Sequence, residues 1–347
     1  MQTQAAPTNT DRTSSMTDLA VKPEEFRTQF AAMREELGRV IVGQREVIDD
    51  LLIAFFAGGH VLFEGVPGLG KTLLSKSFAQ VLGLDFKRIQ CTPDLMPADM
   101  LGTQLVVDRS GHKAFEFAKG PIFTNVLLAD EVNRATPKTQ SALLEAMEER
   151  QVSISGTTYK LDEPFFVMAT QNPIEMEGTY PLPEAQLDRF IFKIFVDYPT
   201  AQELSIIIRQ TTQADRPSAR AVLKGDGTRE WILQARRLVR EVLVSAPVEE
   251  YIVRLVTATR PNPGEPDSPA TKFLRYGASP RGAQSVLLTA KVQALMNGRV
   301  NVSYEDVNRV VVPALNHRMV LSFEAEADRR SPQDVLKILL EPIQRNR

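Results

Sequence analysis

One segment of the sequence has the residue types and spacing of a phosphate-binding loop. Residues 65–72 read Gly-Val-Pro-Gly-Leu-Gly-Lys-Thr and fit the pattern G-x-x-x-x-G-K-[ST]. Glycines let backbone N–H groups wrap phosphate oxygens, and the positive end of a following helix attracts the anion. In this pattern Lys71 reaches the β- and γ-phosphates, and the Thr72 hydroxyl binds Mg²⁺. The residues predicted to contact nucleotide are Gly65, Val66, Pro67, Gly68, Leu69, Gly70, Lys71, Thr72 and Leu73.

A pair of acids downstream of this loop has the properties that phosphoryl transfer requires. The apolar run that begins at Val126 ends in Asp130 and Glu131. Asp130 is predicted to hold Mg²⁺ through water, and Glu131 to orient or deprotonate the attacking water. On its own, an apolar run that ends in Asp-Glu commonly marks only the end of a strand. Because this pair of acids lies downstream of a phosphate-binding loop, the sequence predicts that the protein hydrolyses ATP and uses Mg²⁺ as a cofactor.

Strands and helices must position these residues, and the pattern of the chain predicts them. The apolar run 61–64 predicts a buried strand before the loop, and helical sequence follows from Lys71 to about Leu82. Thr136 and Pro137 are residue types that begin a helix. Strands that alternate with helices indicate an α/β fold with a parallel sheet covered on both faces. Further strands are predicted at about 86–91, 125–129, 165–169 and 190–196.

The segment after the helix that begins at Thr136 reads as a β-hairpin. Apolar and polar residues alternate over 152–161. With 156–157 as a two-residue turn, Ile154 faces Tyr159 across the hairpin. The apolar residues of both strands then share one face.

The chain is expected to have three parts. Its 347 residues are more than one typical core needs, so two folded domains are predicted. Residues 1–22 are rich in Gln, Thr, Ser, Ala and Asp and are predicted to form a disordered tail. Residues 23–198 contain the alternating strands and helices and form the nucleotide-binding domain. Residues 199–347 read as helical and form a smaller, all-α domain.

The composition disfavours several classes of function. The formal net charge is -2 and the pI is about 6.1, so the chain has no basic field for nucleic acid. The only cysteine, Cys91, cannot form a disulfide within the chain, which fits a reducing compartment and predicts a cytoplasmic protein. The longest apolar stretch, 51–63, is interrupted by two glycines and His60. Since a bilayer span needs about 20 apolar residues, none is expected.

Several motifs, in the expected order, are similar to those of the MoxR family of AAA+ ATPases. The resemblance runs from about residue 24 to 345. It implies an α/β phosphate-loop domain with inserted hairpins, followed by a smaller C-terminal helical lid. Besides the loop, the matching segments are Asp-Glu-Val-Asn-Arg-Ala at 130–135 and the stretches 140–147, 168–173, 182–190 and 277–282.

The resemblance assigns catalytic roles to two residues near the predicted sheet. Asn172 matches the sensor-1 position, where it would contact the γ-phosphate or the water beside Asp130. The alternative is a turn asparagine before Pro173. Arg189 matches the arginine finger that acts on ATP held by the neighbouring subunit. Its alternative is a surface ion pair with Asp188 or Glu184, which is usually worth little.

The same resemblance assigns roles to further positions. Arg281 matches sensor 2, which reaches the phosphates from the helical lid. Its alternative is a cation near a helix N-terminus, a placement that the helix dipole disfavours. Val42 and Gly43 match the segment beside adenine, and a turn in the core explains them nearly as well. Gln90 and Thr92 could link the γ-phosphate to a substrate surface.

The resemblance also implies partners. The similarity to this family implies a hexameric, ring-forming, Mg²⁺-dependent ATPase that remodels a separate protein, often one with a von Willebrand A domain. Hairpins at 151–161 and at about 103–117, the latter turning near Ser110, resemble insertions that face the pore of the ring. The alternative is that both are solvent-exposed hairpins with no contact role. Rival functions are the ATPase subunit of a magnesium-chelatase-like complex, a nucleotide-switched scaffold that does not hydrolyse, and a nucleic-acid motor, which the near-neutral charge disfavours.

Overall fold

The computed structural model describes residues 21–109, 112–172, 178–215 and 217–345. In chain order, the elements are α1 (Pro23–Val40), α2 (Arg45–Ala57), β1 (His60–Glu64), α3 (Lys71–Val81), β2 (Phe86–Gln90), α4 (Pro97–Leu101), β3 (Gly102–Arg109), β4 (His112–Lys119), β5 (Val126–Asp130), a 3-10 turn (Val132–Arg134), α5 (Pro137–Glu149), β6 (Gln151–Ile154), β7 (Thr157–Lys160), β8 (Phe166–Gln171), α6 (Glu184–Leu187), β9 (Phe190–Phe195), α7 (Ala201–Thr212), α8 (Thr228–Glu241), α9 (Ala246–Thr257), α10 (Pro269–Phe273), β10 (Leu274–Tyr276), α11 (Pro280–Met296), α12 (Tyr304–Leu315), β11 (Val320–Leu321), α13 (Phe323–Ala327) and α14 (Pro332–Arg345).

The residues group into two compact units. The sheet unit comprises Met33–Asp49 and His60–Arg229. The helical unit comprises the described residues within Met1–Ala32, Asp50–Gly59 and Glu230–Arg347. The predicted tail 1–22 lies outside the described residues except for its last two positions. The predicted domain boundary at 198–199 stays a prediction.

The sheet unit is built on five parallel strands in the order β2-β5-β8-β1-β9. Successive side chains of a strand face opposite sides of the sheet, and both sides are covered. On one side, Phe166 of β8 packs against Phe78 of α3, with their ring centroids 5.6 Å apart. On the other side, Val167 joins a buried cluster with Leu143 and Leu144 of α5. The predicted α/β fold with a parallel sheet is confirmed.

His60 fixes the start of strand β1, next to the central strand β8. It is buried, its Nδ1 accepts the N–H of Val167 at 3.0 Å, and its Nε2 lies 3.1 Å from the carbonyl oxygen of Met147. A neutral ring with its proton on Nε2 satisfies both contacts. The side chain thus connects β1 to β8 and to the end of α5 in a structural role.

The β6–β7 hairpin has a different register from the predicted one. Its turn is Ser155-Gly156, with φ values of +50° and +81°, and Ile154 pairs with Thr157 instead of Tyr159. A two-residue hairpin turn of type I′ requires positive φ at both central residues, and glycine favours the second position. The prediction of a turn at 156–157 was therefore wrong, because the turn lies one residue earlier in the chain. Because the register shifts by two, the alternation of faces is preserved.

The β3–β4 hairpin is present and slightly longer than predicted. It pairs from Gly102 with Lys119 to Arg109 with His112. The predicted turn near Ser110 lies outside the described residues. The aromatic ring of Phe117 stacks on Tyr159 with centroids 4.2 Å apart, so the two hairpins are in contact.

The helical unit consists mainly of helices α8 to α14. Ala235 and Leu238 form an apolar face on α8, and both are fully buried, as is Val242 directly after the helix. A capping box of Ser303 and Asp306 begins α12. Two short strands, β10 and β11, form an antiparallel pair that the sequence interpretation did not include. In the described part of the chain, no helix is long and apolar enough to cross a membrane.

Candidate active site

The loop at 65–70 connects β1 to α3, and Pro67, Gly68 and Gly70 are exposed. Gly68 and Gly70 have φ values of +85° and +80°, in the left-handed region that glycine adopts without strain. Gly70 is the N-cap of α3 and no side chain caps that helix end. The first backbone N–H groups of α3 therefore lack a side-chain acceptor, which is the arrangement that binds phosphate.

Two contacts hold the ends of this loop. A Cβ atom at Gly65 would lie 2.6 Å from the carbonyl oxygen of Val196, so only glycine fits there. Gln44 donates from Nε2 to the carbonyl oxygen of Leu69 at 3.1 Å. Gln44 follows Gly43, so the segment predicted to lie beside adenine is anchored to the phosphate-binding loop.

Lys71 is the first residue of α3, and its amine bends back over the loop. Its Nζ donates to the carbonyl oxygen of Gly65. Burial lowers the pKa of Lys71, and the nearby carboxylates of Asp130, Glu131 and Glu64 oppose that shift. The amine is thus held close to Asp130, the predicted metal-holding acid, and to Glu131, the predicted catalytic acid.

Thr170 bridges the two acids at the end of β5. Its hydroxyl donates to Asp130 Oδ1 at 2.6 Å and accepts the backbone N–H of Glu131 at 2.8 Å. The strands β5 and β8 are neighbours, with Ala129 paired to Ala169, so Thr170 comes next to Asp130. This role of Thr170 was not predicted from the sequence. The only sequence signal was its place two residues before Asn172.

Arg88 of β2 contacts the other oxygen of Asp130. It donates to Asp130 Oδ2 from Nε at 3.1 Å and from Nη2 at 2.7 Å. Ile89 is buried on the opposite side of β2, so alternation places Arg88 and Gln90 on the same side. Gln90 was predicted from the sequence but Arg88 was not, because the pairing of β2 with β5 is not visible in the sequence.

Glu131 has an unusual backbone. Its φ is +56°, which is uncommon for a residue other than glycine, and such conformations cluster at functional sites. Arg134 donates from Nη1 to Glu131 Oε2 at 3.0 Å. Each of the two acids therefore has an arginine partner in the sheet unit.

These side chains surround one cleft of about 480 Å³. Its size is within the range of small-molecule sites. It brings together the predicted residues Lys71, Thr72, Asp130, Glu131 and Asn172. The full lining is Pro67, Gly68, Leu69, Gly70, Lys71, Thr72, Leu73, Arg88, Gln90, Asp130, Glu131, Thr170 and Asn172.

Asn172 is buried at the end of β8. Its backbone oxygen accepts a hydrogen bond from Nδ2 of Asn133 at 3.4 Å, and Asn172 lines the same cleft as Asp130. The alternative of a simple turn asparagine does not by itself account for that position. The next residues, 173–177, lie outside the described chain.

The remaining predicted residues do not line the cleft. Arg189 forms an ion pair with Glu148 of α5 at 3.0 Å. Val42 and Gly43 lie in the turn between α1 and α2, and a Cβ at Gly43 would meet the side chain of Glu203. Arg281 is the second residue of α11 in the helical unit, where its N–H bonds to the Ser279 hydroxyl.

The donor set fits Mg²⁺ held together with a nucleotide. Across the described residues, no group of three or more His, Cys, Asp or Glu side chains could hold a metal by itself. Mg²⁺ in proteins is commonly bound by one or two oxygen ligands plus phosphate oxygens and water. The Thr72 hydroxyl and the Asp130 carboxylate, both in the cleft, match that pattern.

Comparison with protein-family models identifies two regions of the chain. Residues 60–192 match the family described as "ATPase family associated with various cellular activities (AAA)". Residues 269–339 match the AAA lid domain. The first match contains the loop, both acids and Asn172.

Similar proteins extend over most of the chain. Chaperone MoxR1 of Mycobacterium tuberculosis is 45% identical over 309 residues, which cover 89% of this chain and 80% of that protein. Protein MoxR of Paracoccus denitrificans is 31% identical over 315 residues, covering 86% and 90%. A protein of Cytophaga hutchinsonii whose crystal structure is known is 42% identical, with a TM-score of 0.83 over 92% of this chain and 95% of that one.

Proposed function

This chain belongs to the MoxR family of AAA+ ATPases and hydrolyses ATP, and we propose that it does so with Mg²⁺, in a ring, to remodel a separate protein. One observation carries the proposal. Residues 67–70 of the loop, Lys71, both acids and Asn172 surround a single cleft, with N–H groups at the start of α3 that no side chain caps.

Each residue of the cleft has a proposed role. Lys71 offsets the charge of the β- and γ-phosphates, and Thr72 and Asp130 hold Mg²⁺, which neutralises charge on the phosphates when bound. Glu131 orients or deprotonates the attacking water, with its backbone N–H held by Thr170. Asn172 contacts the γ-phosphate or the water from the end of β8.

Arg189 supports an active site completed by a second copy of the chain. It does not line the cleft of its own subunit, and Glu148 holds its guanidinium instead. An arginine supplied in trans is worth roughly 10³–10⁵ in rate in related chemistry. We propose that Arg189 acts on the neighbouring subunit, that Arg281 completes the site from the lid, and that the ring is hexameric.

The hairpins support a role with a protein partner. Phe115 is 75% exposed and Val106 is 58% exposed, although both are apolar and directly paired across β3 and β4. Exposed apolar side chains of this kind often mark interaction sites. Together with the chaperone among the relatives, they support a separate client, and we propose a protein with a von Willebrand A domain. The single cysteine fits the reducing cytoplasm as the proposed location.

Replacement of Glu131 tests the proposal. Glu131→Gln keeps the shape of the side chain but removes the base, so ATP binding persists while turnover falls by about 10²-fold or more. Glu324→Gln, at an exposed ion pair with Lys272, is the matched control and leaves turnover unchanged. Equal rates for Glu131→Gln and the parent protein would contradict the proposed mechanism. A von Willebrand A protein should co-purify with Glu131→Gln in ATP and not in ADP.

A further inference from the structure

We propose that Arg88 is a positioning residue that makes metal binding depend on nucleotide. Its guanidinium contacts Oδ2 of Asp130, the carboxylate proposed to hold Mg²⁺. When nucleotide binds, Arg88 transfers its hydrogen bonds to phosphate oxygens and leaves Asp130 accessible. This inference rests on the proposed function, because it takes Asp130 as the residue that holds Mg²⁺.

The sheet register places Arg88 where it can reach Asp130. Gln90 is paired directly with Asp130 in β2 and β5, and Arg88 is paired with Leu128. Residues two apart on a strand share a face, so the guanidinium of Arg88 extends diagonally toward the carboxylate. A long side chain can span this diagonal separation. The contact therefore follows from the pairing of the two strands.

The oxygens of Asp130 are already engaged by donors. Oδ1 accepts from Thr170 Oγ1 at 2.6 Å, and Oδ2 accepts two N–H groups of Arg88 at 3.1 and 2.7 Å. Contacts between a guanidinium and a carboxylate are among the stronger hydrogen bonds in proteins. A divalent cation that approached Oδ2 would meet a positive charge and would have to displace these bonds.

Arg88 can release Asp130 without losing all its partners. Its side chain is 45% exposed, whereas that of Asp130 is 15% exposed, so the arginine is the member of the pair that can move. Its Nη2 also donates to Gln90 Oε1, which can retain the guanidinium near the cleft. Arg88 lines the same cleft as Lys71, and guanidinium geometry matches phosphate oxygens.

The charges of the cleft explain why nucleotide triggers the exchange. Lys71 and Arg88 are balanced by Asp130 and Glu131 among the lining residues. A triphosphate adds negative charge that attracts Arg88 away from Asp130. The carboxylate then becomes accessible to the cation that arrives with the nucleotide. Metal and nucleotide therefore bind together, and the nucleotide-free site disfavours free metal.

The first test measures the binding of Mn²⁺ alone to the full chain without nucleotide, by electron paramagnetic resonance. Arg88→Gln should bind Mn²⁺ about tenfold or more tightly than the parent protein, because one strong competitor for Asp130 is gone. Arg229→Gln is the matched control, since Arg229 pairs with Asp85 at 2.9 Å and is 47% exposed, outside the cleft. Adding Asp130→Asn to Arg88→Gln should abolish the gain.

Arg88→Lys provides a second variant that keeps the charge but not the paired N–H groups. It should show a gain in Mn²⁺ affinity smaller than that of Arg88→Gln, and thermal unfolding of each variant checks that it is folded. Unchanged Mn²⁺ affinity in folded Arg88→Gln, or an equal gain in Arg229→Gln, would overturn the proposal.

The second test measures the binding of nucleotide without metal. Arg88→Gln should weaken the binding of a non-hydrolysable ATP analogue about tenfold more than the binding of ADP, because the γ-phosphate offers additional oxygens to Arg88. Equal losses for the two nucleotides would contradict the transfer of Arg88 to phosphate. Absence of ATP turnover in the parent protein would contradict the proposed function instead, while the Mn²⁺ measurement would still decide the role of Arg88.

Discussion

The hydroxyl of Thr170 donates to Asp130 Oδ1 at 2.6 Å and at the same time accepts the N–H of Glu131 at 2.8 Å. One side chain on β8 thus sets the orientation of both acids at the end of β5. The proposed metal-holding acid and the proposed base are therefore not independent, because a shift of Thr170 would move the side chain of one and the backbone of the other.

Thr170→Val tests this coupling. Valine has a similar shape but leaves the Glu131 N–H without its acceptor, which costs about 1–3 kcal/mol of unfolding free energy. Turnover should fall by about tenfold with a smaller change in KM, because both acids lose their orientation. Thr170→Ser keeps the hydroxyl and should retain most of the rate. Denaturant unfolding and steady-state kinetics measure the two effects, and equal kinetics for Thr170→Val and Thr170→Ser would contradict the bridging role.

Arg189→Ala should preserve ATP binding and abolish turnover. The residue pairs with Glu148 and does not line its own cleft, so its catalytic action is expected on a neighbouring subunit. An equal mixture of Arg189→Ala and Lys71→Ala subunits should recover roughly a quarter of the parental rate, if subunits mix at random in a closed ring. Mixtures that form rings but recover no activity would count against action in trans. Arg229→Ala, as a control, should keep the parental rate of ATP turnover in the same assay.

Gly43→Ala should weaken ATP binding as well as stability. Gly43 has a φ of +78° and a Cβ there would meet the side chain of Glu203. Gly58→Ala is the matched control, since Gly58 has a φ of +81° and open space around it. Each variant should lose about 1–2 kcal/mol of unfolding free energy from backbone strain. Only Gly43→Ala should raise the KM for ATP, and an equal rise in Gly58→Ala would argue against a role of this turn in binding adenine.

The affinity for ATP should fall as pH rises through the pKa of Lys71. Burial lowers that pKa below the ordinary lysine value, and the neutral amine no longer offsets phosphate charge. Between the lowered pKa and the ordinary value the unfolded chain binds more protons, so the stability of the nucleotide-free protein rises with pH across this window. Lys71→Arg stays charged and should lack both slopes. Titration of ATP affinity against pH in the two proteins measures the difference, and parallel slopes would contradict it.

Cys91 should be almost inert in the folded protein. Burial raises the pKa of its thiol to about 12, and the charges of Asp130 and Glu131 act in the same direction. Near pH 8 the thiolate should be about 10³-fold scarcer than in an ordinary cysteine, so alkylation by iodoacetamide should be slower by that order. Mass spectrometry in buffer and in urea gives both rates. Similar rates in the two conditions would contradict this environment.

Local patterns were sufficient for most of the fold. The apolar strands and the helix beginning at Thr136 were predicted within a few residues, because burial on both sheet faces and helix capping act over short stretches of sequence. The register of the β6–β7 hairpin was predicted wrongly. Gly156 is compatible with either central position of a two-residue turn, and only the backbone angles show which one it occupies. The pair β10–β11 escaped prediction because each strand is too short to show alternation.

The sequence by itself determined the chemistry. The spacing of glycines before Lys71 and the acids after an apolar run suffice to predict a phosphate site, since both depend on neighbouring residues. Only the tertiary structure decided which side chains hold those acids. Thr170 and Arg88 reach Asp130 from two different strands, because the order β2-β5-β8 places β5 between them. Strand order depends on packing across the whole sheet, and no local spacing in the chain encodes it.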